Sequence, residues 1–314
     1  MTLTDRALTW AFTYGPRLPE AVLRAGASLA ATGVWLARTK GVRQLERNLA
    51  TVRPQGAHAV RDGSRRALQH YFRYYAEVLH LEALTPEQID ARVEVRTPAG
   101  FADHVTRGSI VVALGHCGNW DLAGAWAGRH LSRLLTVAER LKPEEVFRAF
   151  VKVREDVGMR ILPLERGRPI FSTLLRETRL DRYTVALLAD RDLGRGGVPA
   201  VICEQPARVA AGPAALATAT KAPLFFAGIR HVRLRGQRRR AAGSPWGIVI
   251  EFFGPYHTEE RGRAATADLT RQWTRDLSRY LRAYPLHWHM LQPVFDRDLD
   301  LDRIRAKQGA EGAS

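Results

Sequence analysis

The sequence predicts an α/β fold, with a central mixed β-sheet flanked by helices and a helical N-terminal extension. Three observations carry this. Residues 1 to about 85 have the apolar spacing of helices. From about residue 90, short β-branched runs alternate with helical stretches, as in a sheet built through crossover helices. The chain has 314 residues and is 46% hydrophobic, enough to bury a large core. No long linker, internal repeat or low-complexity segment divides it. The simplest organisation is a single domain: a helical extension over 1–85, an α/β core over 86–300 and a tail over 301–314, fraying from about Ala306.

The elements follow in order. Leu3, Ala7, Trp10 and Ala11 recur at helical spacing, as do Leu29, Val34 and Leu36. Tyr71, Phe72, Tyr74, Tyr75, Val78 and Leu79 form an aromatic-rich helical stretch that fits a core better than a lipid contact. The expected strands are Val93–Arg96, Ile110–Leu114, Leu134–Ala138, Tyr183–Leu188, Ala200–Cys203, Pro223–Ile229 and Ile248–Phe253. The expected helices are Trp120–His130, Pro143–Val157, Pro169–Thr178, Pro213–Thr220 and Ala264–Ala283. The last carries Leu269, Trp273, Leu277, Tyr280, Leu281 and Tyr284 on roughly one stripe.

Composition narrows the function classes. Two cysteines, Cys117 and Cys203, exclude a disulfide framework, and the lack of a CxxC or a spaced Cys/His set argues against structural zinc. The net charge is +16, with 43 Arg against 5 Lys. Such a surface attracts anionic lipid, phosphate or nucleic acid over a Debye length, or is simply solvated. The N-terminus lacks the apolar core and cleavage site of a signal peptide. Residues 25–37 are uncharged, but a bilayer span needs roughly 20 apolar residues. Arg24 on one side and Arg38 with Lys40 on the other suit an interfacial, membrane-associating helix or a buried one.

The chemistry concentrates in Ser109 to Trp126, SIVVALGHCGNWDLAGAW. A greasy strand ends at Gly115, and His116 and Asp121 follow. On one continuous helix this pair would lie about 140° apart and bond poorly. With His116 in a turn and a helix starting near Asn119, Asp121 falls in the first turn, where the helix dipole favours its charge. Its carboxylate can then reach back to Nδ1 of His116 and leave Nε2 free to take a proton. Gly115 and Gly118 permit a tight turn, and main-chain N–H groups at the helix start can hold developing negative charge. No Ser or Thr nucleophile flanks His116, so a base here would activate a substrate hydroxyl. On residue types alone, a satisfied structural histidine stands beside this reading.

GHCGNWD resembles the HX4D motif of the glycerolipid acyltransferase superfamily. More narrowly, it resembles the branch holding the lipid A late acyltransferases and the phosphatidylinositol mannoside acyltransferases. Four further blocks occur in the branch's order: AERLKPEEVFRAF at 138–150, VALLADRDLGRGG at 185–197, PARVAAGPAALATATKAPLFF at 206–226 and WHMLQPVF at 288–295. The similarity spans about residues 5–298, and the Trp-His-Met-Leu-Gln ending points to the phosphatidylinositol mannoside subgroup. One departure is Ile202, Cys203 and Glu204, where the family commonly has Phe-Phe-Gly.

The resemblance implies a cytoplasmic-face membrane enzyme that passes a long acyl chain, expected to be palmitoyl, from acyl-CoA to a mannose 6-hydroxyl. His116 would be the general base and Asp121 its orienting acid. It implies no cofactor beyond acyl-CoA as co-substrate, and no metal. It also implies that Glu139 with Arg154, and Asp190 with Arg191 and Asp192, lie near the active site as substrate contacts or as an ion-pair network. Asp190 is a candidate partner of His116 or of the acceptor headgroup.

Three other features are weighed against this. Cys117 beside His116 has no cysteine-hydrolase partner pattern and reads as a small core residue. His287 and His289 have H-x-H spacing but no third ligand nearby, and they fit an aromatic cluster at the sheet edge better than a metal site. Arg233, Arg235, Arg238, Arg239 and Arg240 suggest a basic hairpin, yet no nucleic-acid motif surrounds them, and no nucleic-acid partner is expected. An acyl-CoA hydrolase, another glycolipid or lysophospholipid acceptor, and a silent lipid-binding protein are the functional alternatives.

Overall fold

Three helices open the described chain: α1 (Glu20–Leu36), α2 (Lys40–Val52) and α3 (Ala57–Val78). They belong to a computed structural model that describes residues 14–140, 144–164, 170–192 and 197–300. The expected helical spacing at Leu3–Ala11, parts of two sequence blocks (141–143 and 193–196) and the tail fall outside it. Thr39 starts α2 by accepting the Val42 amide at 3.3 Å. Val42, Leu45 and Leu49 of α2 then close on Ala31 of α1 and on Ala67 and Leu68 of α3, a small core of their own. The later turns of α3 put Tyr74 and Val78 into the main core, so the aromatic stretch is interior as expected.

Nine strands follow: β1 (Val93–Arg96), β2 (Ile110–Leu114), β3 (Leu134–Glu139), β4 (Arg160–Leu164), β5 (Thr184–Leu188), β6 (Gly197–Ile202), β7 (Gln205–Ala210), β8 (Leu224–Arg233) and β9 (Trp246–Tyr256). Seven make one mixed sheet in the order β1-β9-β8-β2-β5-β3-β4. β1 and β9 run together, antiparallel to the other five. The intervening helices are α4 (Pro86–Arg92), α5 (Phe101–Arg107), α6 (Trp120–His130), α7 (Glu144–Asp156), α8 (Ile170–Leu180), α9 (Gly212–Thr220), α10 (Gly236–Ala242) and α11 (Gly262–Ala283).

The alternation of strand side chains sorts the layers. Val111 and Ala113 of β2 join α8, α9 and α11 in one core. Ile110, Val112 and Leu114 join α3 to α7 in the other. Helices on both faces explain why all five residues of β2 are buried and why the strand reads as an unbroken apolar run.

The structure departs from the sequence expectations where Pro or charge interrupts the pattern. β4 contains Pro163, which an edge strand tolerates and which hides it from a periodicity reading. The strand expected at Ala200–Cys203 is one arm of a hairpin. It ends at Ile202, which pairs with Gln205 of the unforeseen β7, and Cys203 and Glu204 turn the corner with φ of 49° and 65°. β8 runs on past Ile229 because its buried Arg230 and His231 have partners, Glu251 at 3.3 Å and Glu77 at 3.2 Å. The connection expected as a basic hairpin holds the short helix α10, where Arg238 donates to Ala91 O at 2.8 Å and pairs with Glu94.

Candidate active site

β2 and β5 are parallel neighbours in register, with Leu114 opposite Leu188. Two residues further along each chain, His116 therefore stands beside Asp190. Nδ1 of His116 lies 2.6 Å from Asp190 Oδ1, and the His116 main-chain N–H donates to Oδ2 at 2.9 Å. Trp288 Nε1 also donates to Oδ2, at 2.7 Å. Asp190 is fully buried. Burial alone would raise its carboxyl pKa, but the adjacent imidazole and these three donors hold it below the ordinary value. Burial likewise depresses His116, and Asp190 more than reverses this, so the imidazole lies above 6.5. An ionised Asp190 can only accept, so it places the proton on Nδ1 and leaves Nε2 with a lone pair. The His116 side chain is 37% exposed and lines a cavity.

The turn after β2 folds as the glycines suggest. Gly118 has φ +63°, and a Cβ there would lie 2.6 Å from Ile229 O. Asn119 caps α6 by accepting the Leu122 amide at 2.9 Å, so the helix starts where expected. Asp121 does sit in its first turn, but its carboxylate does not reach back to His116. Arg154 of α7 takes it through Nε at 2.6 Å and Nη2 at 3.2 Å, and Tyr74 of α3 donates to Oδ2 at 2.7 Å. A two-pronged guanidinium and a buried hydroxyl occupy the oxygens that the sequence reading assigned to the imidazole. The orienting carboxylate is Asp190, 74 residues away.

Of the other sequence candidates, Glu139, Arg154 and Arg191 line the same cavity. Arg154 pairs with Asp121 and not with Glu139. Glu139, at the end of β3, is exposed; burial lowers the Arg191 pKa below its ordinary value, against the opposing charges of Asp190, Asp192 and Glu139. Arg191 donates from Nε to Pro293 O at 2.8 Å, and the Asp192 main-chain N–H bonds to Arg208 O. The cavity holds about 490 Å³. From His116, Glu139 and Arg191 it runs along the α3–α7 face of the sheet, past Leu188 and Val112, to Leu134, Gly124 and Met159 at the opposite strand ends. β3 spans roughly 16 Å at about 3.3 Å per residue, which sets the scale of its length.

Several site residues carry no local signal. Trp288 and Tyr74 act on the acidic pair from α11's far side and from α3. His287 does have histidine neighbours: folding brings His70 and His231 to it, while its H-x-H companion His289 stays out of the group. His289 instead donates its main-chain N–H to His116 O at 2.8 Å and bonds Gly118 O through Nε2 at 3.0 Å.

The fold is a doubly covered α/β sheet with a histidine–carboxylate pair at the carboxyl ends of adjoining parallel strands and a largely apolar cavity beside it, the usual place for an enzyme site in such a sheet. The chain belongs to the bacterial lipid A biosynthesis acyltransferase family, whose model matches residues 9–297, and is an acyltransferase. It is 35% identical over 295 residues to the phosphatidylinositol mannoside acyltransferase of Mycolicibacterium smegmatis, covering 93% of this chain and 91% of that one. It is 34% identical over 313 residues to the phosphatidylinositol mannoside acyltransferase of Mycobacterium tuberculosis, covering 96% and 93%.

Proposed function

We propose that this acyltransferase moves a long acyl chain, palmitoyl or close to it, from acyl-CoA to a mannose 6-hydroxyl of a phosphatidylinositol mannoside. The observation that carries the reading is the 2.6 Å contact of His116 Nδ1 with buried Asp190, which leaves Nε2 for the cavity. Nε2 takes the acceptor hydroxyl proton as the oxygen attacks the thioester carbonyl. Asp190 stabilises the imidazolium, and main-chain N–H groups in the first turn of α6 offset the charge on the tetrahedral oxyanion. The carbon–sulfur bond breaks and His116 returns the proton to the departing CoA sulfur. The acyl chain lies in the apolar cavity. Arg154, fixed by Asp121, and Arg191 at the mouth offer guanidinium groups to the phosphates of CoA or acceptor. No further cofactor enters these steps.

The acceptor assignment rests on the two relatives' names and on similarity over nearly the whole chain. Membrane contact is supported by α1. Val22, Leu29 and Leu36, seven residues apart, form one stripe and are 53%, 76% and 65% exposed. No helix among the described residues is long and apolar enough to cross a bilayer, so α1 is read as lying in the interface of an anionic membrane. The cytoplasmic face follows from the cytosolic supply of acyl-CoA.

The test is purified protein with palmitoyl-CoA and a phosphatidylinositol mannoside acceptor, with product followed by mass spectrometry. Acylated acceptor that disappears in His116→Ala is expected. Unchanged transfer by that variant, or CoA release with water alone as acceptor, would overturn the reading.

A further inference from the structure

Next to the turn that carries His116, where His287 O accepts the Gly118 N–H, three imidazoles from distant parts of the chain meet. His70 comes from α3, His231 from β8 and His287 from the turn after α11. One ring nitrogen of each lies within 4.8 Å of the others. We propose that His70, His231 and His287 form a site for one divalent transition-metal ion of the zinc class.

The donor chemistry supports it. His231 is fully buried, and its Nε2 faces Glu77 Oε2 at 3.2 Å. Glu77 Oε2 also accepts from Asn119 Nδ2 at 2.7 Å, so it faces His231 as an acceptor and Nε2 is the donor. The His231 Nδ1 is then a lone-pair donor, buried and without a hydrogen-bond partner among the described residues. A carboxylate that orients one imidazole nitrogen while the other points at an ion is the usual outer arrangement of a histidine metal ligand. His70 and His287 supply the other two ring-nitrogen donors.

His70 and His287 are only partly buried, which leaves an entry path. Zinc–nitrogen bonds of about 2.0–2.1 Å in tetrahedral geometry require nitrogens about 3.3 Å apart, so each ring must close by less than about 1 Å. Two interactions compete: Arg73 donates to His70 Nδ1 at 2.7 Å and the His231 main-chain N–H donates to His287 Nδ1 at 3.3 Å, and an ion that takes either nitrogen must displace that donor.

The site's position states what it would do. His287 O accepts the Gly118 N–H at 2.9 Å, and Glu77 holds Asn119 at 2.7 Å. Two of the supports of the turn that carries His116 therefore attach to the same cluster. A bound ion would tie α3, β8 and the 285–289 segment together beside that turn. Its role is positioning, not chemistry on the substrate.

The experiment uses the full chain after chelation. It is titrated with Zn²⁺ by calorimetry and with Co²⁺ by visible absorption, and thermal unfolding is followed with and without Zn²⁺. One equivalent, tetrahedral Co²⁺ bands and a raised Tm are expected. His70→Gln and His287→Gln, which keep side-chain volume at partly exposed positions, should each weaken binding at least tenfold. His70→Ala and His287→Ala serve as a second pair if a glutamine variant fails to fold. Absence of stoichiometric binding to the wild type, or binding that survives both substitutions, would overturn the proposal.

Discussion

Replacing Asp190 by asparagine removes one charge and almost no volume, yet it should disable the base. Asp190 accepts three hydrogen bonds. Two come from donors that cannot reverse, the His116 main-chain N–H and Trp288 Nε1, both on Oδ2. An asparagine oxygen must therefore take the Oδ2 position, and its NH₂ group then faces His116 Nδ1. The imidazole satisfies that donor by becoming an acceptor at Nδ1, and its proton moves to Nε2, the nitrogen that faces the cavity. A histidine in this tautomer cannot take a hydroxyl proton. The expected loss is the general-base contribution, about 10²–10⁴ in kcat, or roughly 3–5 kcal/mol of barrier. KM should change little, because Asp190 is fully buried and touches no substrate. Asp190 also holds the His116 pKa above 6.5 against burial. Without its charge, the midpoint of the rising limb of kcat/KM with pH should move to lower pH. Acyl transfer measured by CoA release, with product confirmed by mass spectrometry from pH 5 to 9, reads both effects. Asp121→Asn is the control: it weakens the Arg154 anchor but leaves the imidazole tautomer alone. If Asp121→Asn moves the pH midpoint and Asp190→Asn does not, the assignment of the orienting carboxylate is wrong.

Three further outcomes are expected. In Gly124→Val the new Cβ would lie 2.6 Å from Met159 Cε, filling the far end of the cavity. Each methylene excluded from it costs ~0.8 kcal/mol, about fourfold in selectivity, so an acyl-CoA series should shift to shorter chains. An unaltered chain-length profile would remove the acyl group from this cavity. Burial keeps His289 neutral, with its pKa lowered from 6.5 to about 3, so between these values the unfolded chain binds more protons. Tm should accordingly fall as pH is lowered through that window, less steeply in His289→Gln, and equal slopes would refute the argument. Leu29→Glu in the exposed stripe of α1 should weaken recruitment to anionic liposomes in flotation by roughly 10–100-fold, the transfer energy of one leucine being about 1.5–3 kcal/mol. Undiminished flotation would remove α1 from the membrane contact.

Much of this molecule is legible residue by residue. Ile110–Leu114 reads as a central strand because burial on both faces leaves no polar alternation. The start of α6 reads from Asn119 and the tight turn from Gly118, whereas the close approach of Ile229 to that glycine appears only in the fold. Illegible stretches are those where partners replace pattern. β8 continues through Arg230 and His231 because Glu251 and Glu77 await them, and β4 is masked by Pro163 at a sheet edge.

The candidate site divides in the same way. Sequence alone located His116 as the candidate base, since a histidine ending a buried strand before a capped helix is local information. It also placed Asp121 in the first turn of that helix. Which carboxylate serves the base was decided by the fold. Asp190 reaches His116 because β2 and β5 are parallel neighbours in register, and Asp121 is withheld because α7 brings Arg154 to it. The three-histidine cluster arises likewise, from a helix, a strand and a turn far apart in the chain. Local periodicity is written in consecutive residues, whereas strand order and helix docking depend on how all the apolar faces are buried together.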